Sequence, residues 1–364
     1  KFFFGFLRTE KMNFKWWFPM PMVLVLGLVF IGIRGGVGTI PNNQSTAYYS
    51  SSNELNNAAL NSVWNFFYFV FNGETISYGQ FAHFTEDELD AFEETQRYEN
   101  VDTTDFFNGV QNPNVVLVLL ESWGADAVGC LTEGVELTPN FDSLSRSGIL
   151  FSQCYATGVR TDKGISAVLS GFPAQADASA IMYPEKSLKM PSLLGEFKGY
   201  SSLFVYGGDP SFANMKIYVK NMGFHNIRDK SNFALEEQNS KWGAHDGVVF
   251  ERSIGWISEL KNPFFANILT LSSHEPFEVP METVVEGKDV PSMFKNSVVY
   301  SDKAIGEFMK ACKDEVWYDS TIFIFVADHG KEMGMDYPVK FHSGFYRIPL
   351  LIYSPLLHDK FKGT

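Results

Sequence analysis

Two hydrophobic textures divide the chain. From residue 113 onward, short continuous apolar runs alternate with segments whose apolar positions recur at helical spacing. Val115 to Leu120, Ser201 to Tyr206, Phe264 to Leu271 and Thr321 to Ala327 read as strands buried on both faces. Pro139 to Ser147, Ser192 to Phe197, Asp246 to Leu260 and Met293 to Lys313 read as helices, the first stopped by Gly148. Fully apolar strands separated by helices predict an α/β fold, a mostly parallel central sheet with helices on both faces. Ligands in such sheets bind beyond the carboxyl ends of the strands, so the strand tips are where chemistry is sought.

Ahead of this region the apolar residues come in aromatic-rich blocks. Residues 16–33, WWFPMPMVLVLGLVFIGI, form an eighteen-residue run without charge, at the lower edge of membrane-spanning length. Lys1, Arg8, Lys11 and Lys15 precede it and Arg34 follows, an asymmetry that places the N-terminal flank in the cytoplasm and the rest outside. A signal peptide is the competing reading. The chain begins with Lys rather than Met, and the run carries two prolines and two tryptophans, so a transmembrane helix, the last of several, is expected. Residues 34–53 are rich in Gly, Asn and Ser and read as a juxtamembrane linker. A helix from Glu54 to Phe71 follows, whose aromatic run Trp64 to Phe69 suits either a membrane interface or packing on the main domain. Thr85 to Glu88 resembles the start of an acidic helix reaching about Tyr98. The expected division is therefore residues 1–35, the end of a membrane domain; 36–111, linker and juxtamembrane helices; and 112–364, an extracytoplasmic catalytic domain.

Composition narrows the function classes. A net charge of −13 opposes nucleic-acid binding, which needs clustered Lys and Arg. Cys130, Cys154 and Cys312 show no CxxC spacing, so neither a disulfide framework nor a zinc ribbon can be read from them. Four strand tips are polar: Glu121-Ser122, Gly207-Gly208-Asp209, Ser272-Ser273-His274-Glu275 and Asp328-His329-Gly330. Carboxylates and imidazoles converging there suggest a metal site of mixed oxygen and nitrogen ligands, suited to Zn²⁺ or Mn²⁺ better than Ca²⁺. Thr161, in ATGVRTDKGISAVLSG, stands where a Gly-containing loop turns into a helix. The position fits an N-cap, a phosphate-binding hydroxyl, or both.

In that order along the chain, these residues resemble the lipoteichoic acid synthase branch of the alkaline phosphatase superfamily over about residues 112–355. The resemblance implies an alkaline phosphatase-like fold with Thr161 of VRTDKG as nucleophile and Arg160 as the basic residue before it. Glu121 of LLES, Thr161, Asp328 and His329 would hold one divalent cation, typically Mn²⁺ in this branch, with Zn²⁺ or Mg²⁺ as alternatives. His274 of SSHEPF would serve the substrate or protonate a leaving group. The family places a Trp and an Arg shortly after the residue matched by Asp209, whereas GGDPSFANMK offers Asn214 and Lys216. Lys does not replace the bidentate fork of Arg on phosphate, so glycerol phosphate polymerisation does not transfer with the resemblance. Two-metal members carry Asp-x-x-x-His where this chain has Thr270 to His274; the lost carboxylate favours one ion and leaves His274, with His342 of FHSGF, for substrate. The family also continues beyond the last apolar run, so the domain is expected to be truncated at its C-terminus.

The implied activity is transfer of a phosphoglycerol or related phosphoalcohol from a phospholipid such as phosphatidylglycerol to a glycan or lipid acceptor, on the outer face of a bacterial cell membrane. A phosphoethanolamine transferase is the enzyme alternative, made less apt by the three cysteines. A sulfatase would need C/S-x-P-x-R, which Cys154-Tyr155-Ala156-Thr157 does not supply. An inactive membrane-anchored binding protein would be expected to lack a ligand, and none is missing.

Overall fold

A computed structural model of the chain describes residues 19–38, 40–50, 52–72, 85, 87–88, 90–91, 94, 104–109, 111–175, 178–331 and 342–364. Its centre is a seven-stranded sheet: β1 (Asn114–Leu120), β2 (Ile149–Tyr155), β3 (Ser201–Tyr206), β4 (Asn226–Arg228), β5 (Phe264–Leu269), β6 (Thr321–Ala327) and β7 (Arg347–Tyr353). The order is β2-β7-β6-β1-β5-β3-β4. β7 runs antiparallel to both its neighbours, and the other strands share one direction. The α/β, mostly parallel sheet expected from the apolar runs is present, and those runs occupy its centre.

Every residue of β1 and β5 is buried, which is why both lack alternation. Helices cover the faces, notably Val290–Cys312, Asp246–Ser258 and Thr161–Ser170. Aromatic rings fill the space beneath them: Phe141 lies 6.0 Å from Trp123 and 6.3 Å from Phe325 between ring centroids. Each fully buried side chain of this kind stabilises the fold by about 2–3 kcal/mol relative to exposure.

β2 escapes the sequence pattern because it is an edge strand. Its middle residues are exposed and it pairs only with β7, so ILFSQCY contains no long apolar run. The pairing nevertheless matters for the site. It fixes the direction of β2, so that the following loop brings Thr161 to the same edge as the tips of β1 and β6.

The N-terminal region departs from its expected form. The apolar helix spans Pro19–Arg34, 16 residues, and buries none of them. At 1.5 Å per residue it is about 24 Å long. No helix among the described residues is long and apolar enough to cross a membrane. Residues 16–18 of the expected span lie outside the described residues, as does most of the expected acidic helix after Thr85. The single helix anticipated from Glu54 to Phe71 is two, Asn53–Ala59 and Ser62–Asn72, broken at Leu60-Asn61. The polar segment before them is anchored to the sheet domain. Asn43 Nδ2 donates to the Ser211 carbonyl at 2.8 Å, Ser45 Oγ donates to Asn214 Oδ1 at 3.3 Å, and Lys220 Nζ donates to the Ser50 carbonyl at 2.9 Å.

Candidate metal centre and active-site cleft

The parallel register of β1 and β6 pairs Leu120 with Ala327, so the next residues on each strand, Glu121 and Asp328, emerge side by side. Ser122 then takes a left-handed conformation, φ 63°, which costs a non-glycine residue about 1–2 kcal/mol. The turn is held by the site itself. Ser122 N–H donates to Asp328 Oδ1 at 2.9 Å, and Ser122 Oγ donates to Glu121 Oε1 at 2.8 Å. Behind them, Glu121 N–H donates to Thr270 Oγ1 at 2.8 Å, and Ser273 Oγ donates to the Glu121 carbonyl at 2.6 Å. Thr270, which stands where a second-site carboxylate was sought, therefore ties β5 to β1.

His329 completes the group. Its Nδ1 donates to the Gly330 carbonyl at 2.8 Å, which turns Nε2 toward the acids, 3.5 Å from Glu121 Oε1 and 3.6 Å from Asp328 Oδ2, where it carries a proton or, once deprotonated, offers its lone pair to a cation. Thr161 closes the fourth side: its Oγ1 donates to Glu121 Oε2 at 2.9 Å and lies 3.5 Å from His329 Nε2. Thr161 is the first residue of its helix, and Arg160 occupies the N-cap position without a side-chain capping bond. The threonine hydroxyl is thus spent on Glu121 rather than on capping. Two glycines make the approach feasible. A Cβ on Gly164 would collide with the backbone of Asp328, so only glycine lets this helix seat against the β6 tip. Gly330 is required for space rather than for a left-handed φ: a Cβ there would press on the Phe345 carbonyl at 2.5 Å.

Glu121, Asp328 and His329 offer ligand atoms within 4.8 Å of one another and are all buried. Asp328 Oδ2 is buried with no hydrogen-bond donor, an arrangement that is costly unless a cation serves it. Burial and then the Glu121 charge push the Asp328 carboxyl up. At His329 burial opposes the charged form, yet the Asp328 and Glu121 carboxylates outweigh it and hold the imidazole at about 9. Burial likewise works against Glu121, but the hydrogen bond and charge of His329 carry it down to about 2. The centre is negative and attracts positive charge. Three oxygen donors and one imidazole nitrogen fit a single divalent cation of the Mn²⁺, Zn²⁺ or Mg²⁺ type. Among the described residues no second cluster of three such ligands occurs.

The cluster opens into a cleft of about 570 Å³ that also reaches Arg160, His274, Lys331 and Phe345. Arg160 is largely exposed and pairs with Asp162 at 3.5 Å. His274 faces the cleft from the loop after β5, its Nδ1 donating to the Glu275 carbonyl at 3.0 Å. Asp209 lines a small side pocket beside His274. The other residues expected to hold substrate do not line the cleft. Asn214 is buried, its amide donating to the Met182 carbonyl at 3.2 Å while its oxygen accepts from Ser45. Lys216 lies on the adjoining helix Met215–Asn221, outside the cleft lining. His342 caps the turn Ser343–Tyr346, its Nδ1 accepting from Gly344 N–H at 3.1 Å.

Three contributors went unread in the sequence. Trp242 donates from Nε1 to the Glu275 carbonyl at 2.6 Å and packs edge-on against His274 at 5.2 Å. Lys331, directly after the DHG motif, bonds Glu275 at 2.6 Å across the cleft mouth. Asp246 is buried and anchors the loop bearing His274 by accepting from Leu271 N–H at 2.6 Å, Ser272 N–H at 3.1 Å and Ser301 Oγ at 2.5 Å. A Trp-Gly dipeptide directly before Ala-His-Asp at a helix start was the available signal for the first and last of these. The cysteines give no competing centre: Cys130, Cys154 and Cys312 are free thiols, and none lines the cleft.

A mixed α/β sheet carrying an acid-imidazole cluster on two adjacent strand tips, opposed by a helix-opening hydroxyl, places the protein in the alkaline phosphatase superfamily. Within it the chain belongs to the sulfatase family of enzymes, whose profile matches residues 113–360. It is similar to lipoteichoic acid synthase 1 of Bacillus subtilis, 24% identical over 264 residues that cover 69% of this chain and 41% of that protein. It is also similar to the lipoteichoic acid synthase of Staphylococcus saprophyticus, 24% identical over 249 residues, 65% of this chain and 38% of that protein. The chain thus spans about two fifths of the length of the curated relatives it matches. Among solved structures, an alkaline phosphatase superfamily protein from Vibrio parahaemolyticus superposes with a TM-score of 0.63 at 31% identity, covering 70% of this chain and 62% of that one. The lipoteichoic acid synthase LtaP from Listeria monocytogenes superposes with a TM-score of 0.62 at 20% identity, covering 74% and 72%, a likeness of fold.

Proposed function

We propose that the protein is a metal-dependent phosphotransferase in which Thr161 is the nucleophile, moving a phosphoglycerol or related phosphoalcohol group from a phospholipid donor to an extracytoplasmic glycan or lipid acceptor. One observation carries this reading. The Thr161 hydroxyl bonds Glu121 at 2.9 Å within an otherwise buried acid-imidazole cluster, and it faces an open cleft wide enough for a phosphodiester. A hydroxyl used only as a cap would instead accept from the backbone of its own helix.

Bound by Glu121, Asp328, His329 and Thr161, a divalent cation, Mn²⁺ by the resemblance, would supply Lewis acidity toward the phosphoryl oxygens. The chain's own groups do the rest. Glu121 Oε2 receives the Thr161 hydroxyl hydrogen and so aims the oxygen lone pairs into the cleft. Oγ1 attacks phosphorus as its proton passes along that hydrogen bond to Glu121 Oε2, the Oγ1–P bond forms, and the bond to the diacylglycerol oxygen breaks. The departing alkoxide needs a proton, and His274, positioned by Glu275 and Trp242, is placed to provide it. An acceptor hydroxyl then attacks the phosphothreonine diester, passing its proton to the same imidazole, and Thr161 leaves, taking its proton back from Glu121. Arg160, exposed at the helix start, neutralises the nonbridging oxygens together with the helix N-terminus. The apolar side chains of Pro19–Arg34, none of them buried, support a position on a bacterial membrane, beside its lipid donors.

The reading is tested by offering the Mn²⁺-loaded chain headgroup-labelled phosphatidylglycerol and, in parallel, phosphatidylethanolamine in mixed micelles. Diacylglycerol release from the first donor is expected, at a rate that Thr161→Ala abolishes. Release confined to the second donor would replace phosphoglycerol by phosphoethanolamine, and release from neither would remove the lipid donor from the account.

A further inference from the structure

The small pocket beside the cleft is lined by Tyr206, Asp209, Phe212, Trp242 and His274, and by Ile40, which lies outside the sulfatase-family region at 113–360. It shares Tyr206, Phe212 and His274 with the large cleft, so the two are continuous. The segment carrying Ile40 is not a slack tether. Asn43 caps the turn Gln44–Ala47 by accepting from Ser45 N–H at 2.9 Å, and its amide bonds Ser211, one residue from Phe212. Gln44 and Ser45 are buried, and Lys220 grips Ser50. With the bond from Ser45 to Asn214, three hydrogen bonds in all fix residues 43–50 to the loop and helix that follow β3. Ile40 stands three residues before Asn43 and lines the pocket.

We infer that the segment Ile40–Ser50 is part of the substrate site, with Ile40 as a specificity-determining contact that sizes the side pocket for the alcohol borne by the transferred phosphate. The chemistry of the lining indicates the occupant. The Asp209 carboxylate accepts hydrogen bonds from hydroxyl or ammonium groups, His274 sits between the pocket and Thr161's cleft, and Phe212, Trp242 and Ile40 present hydrocarbon to a short carbon chain. The enclosure holds about 20 Å³ and opens on the cleft, so it takes the terminal group of a short polar alcohol whose phosphate lies in the cleft, and it excludes a sugar ring. Ser45 also gives buried Asn214 its role: holding the segment rather than touching substrate. The inference rests on the phosphotransferase reading for its substrate class, but the wall itself is a binding property and can be measured without turnover.

The test uses the full chain with Ile40→Ala, Ile40→Trp and the undocking pair Asn43→Ala/Lys220→Ala. Two readouts are taken: kcat/KM for p-nitrophenyl phosphodiesters of methanol, ethanolamine and glycerol, and equilibrium binding of glycerol phosphate and phosphoethanolamine. Ile40→Trp should lower the glycerol-to-methanol ratio of kcat/KM roughly tenfold and weaken glycerol phosphate binding to match, as a filled hydrophobic pocket does. Ile40→Ala and the undocking pair should flatten discrimination among the three alcohols in the same direction as each other. Binding that shifts with residue 40 while no diester is hydrolysed would uphold the wall and refute the phosphotransferase reading. Ratios and affinities indifferent to all three variants, or no binding of either phosphate, would overturn the inference.

Discussion

The β1/β6 tip and the substrate rim lie a few residues apart in space yet are built in opposite ways. At the tip, Glu121, Asp328 and His329 are buried, and apart from the Thr161 hydroxyl their supporting bonds come from the strand ends and the turns that follow them. At the rim, Asp209, Trp242, His274 and Ile40 arrive from four separate loops and none of them is buried. The tip is positioned by strand register, which tolerates no slip without breaking the sheet. The rim is positioned by loops, where alcohol specificity can change without disturbing the chemistry. A conserved reaction with variable substrates is what that division suits.

The comparison can be broken most directly at the tip. Thr161→Ala should lower phosphotransfer by roughly a thousandfold or more while thermal unfolding shifts little, since the hydroxyl is on the cleft side of a packed helix. A stopped assay with urea unfolding run on the same sample separates the two. Next in size, Asp328→Asn should weaken Mn²⁺ binding by roughly a hundredfold in titration calorimetry. An unchanged affinity would mean that the unbonded Oδ2 is not a ligand. Gly164→Ala should cost about 1–3 kcal/mol of stability by pushing the helix off Asp328, and it should weaken metal binding as well, which a purely structural glycine would not do.

Asp246 tests the boundary between the two regions. Asp246→Ala leaves the Leu271 and Ser272 amides buried without an acceptor, a loss of about 2–4 kcal/mol. Its kinetic signature should fall on the loop carrying His274, with Mn²⁺ affinity retained. The smallest effect is expected at the rim's far side: Lys216→Ala should change kcat/KM less than about twofold, because the residue does not line the cleft. A tenfold loss there would restore the phosphate-binding role suggested by its place after Asp209.

The sequence carried the tip well and the rim poorly, for a physical reason. A strand buried on both faces must be apolar throughout, so β1, β3, β5 and β6 were visible as runs, and the polar residues ending them stood out as ligands. β2 is the edge strand, where exposure breaks the run, and it went unread; β7, one strand further in, shows only as an apolar run after which the family continues. Asn214 and Lys216 were assigned to substrate by their distance from Asp209 along the chain. The left-handed residues Ala213 and Asn214 kink the chain there and turn the amide toward Ser45 and Met182 instead. The role of Ile40 could not be read at all, since a linker-like composition says nothing about where the segment docks.

The central claim is that the strand tips and Thr161 form one covalent phosphotransfer site. Acid quenching of the Mn²⁺-loaded chain during turnover of labelled phosphatidylglycerol, followed by peptide mass spectrometry, tests it most directly. The account predicts a glycerophosphoryl group on Thr161, absent from Thr161→Ala. The same label on another residue, or an adduct that survives Thr161→Ala, would contradict it.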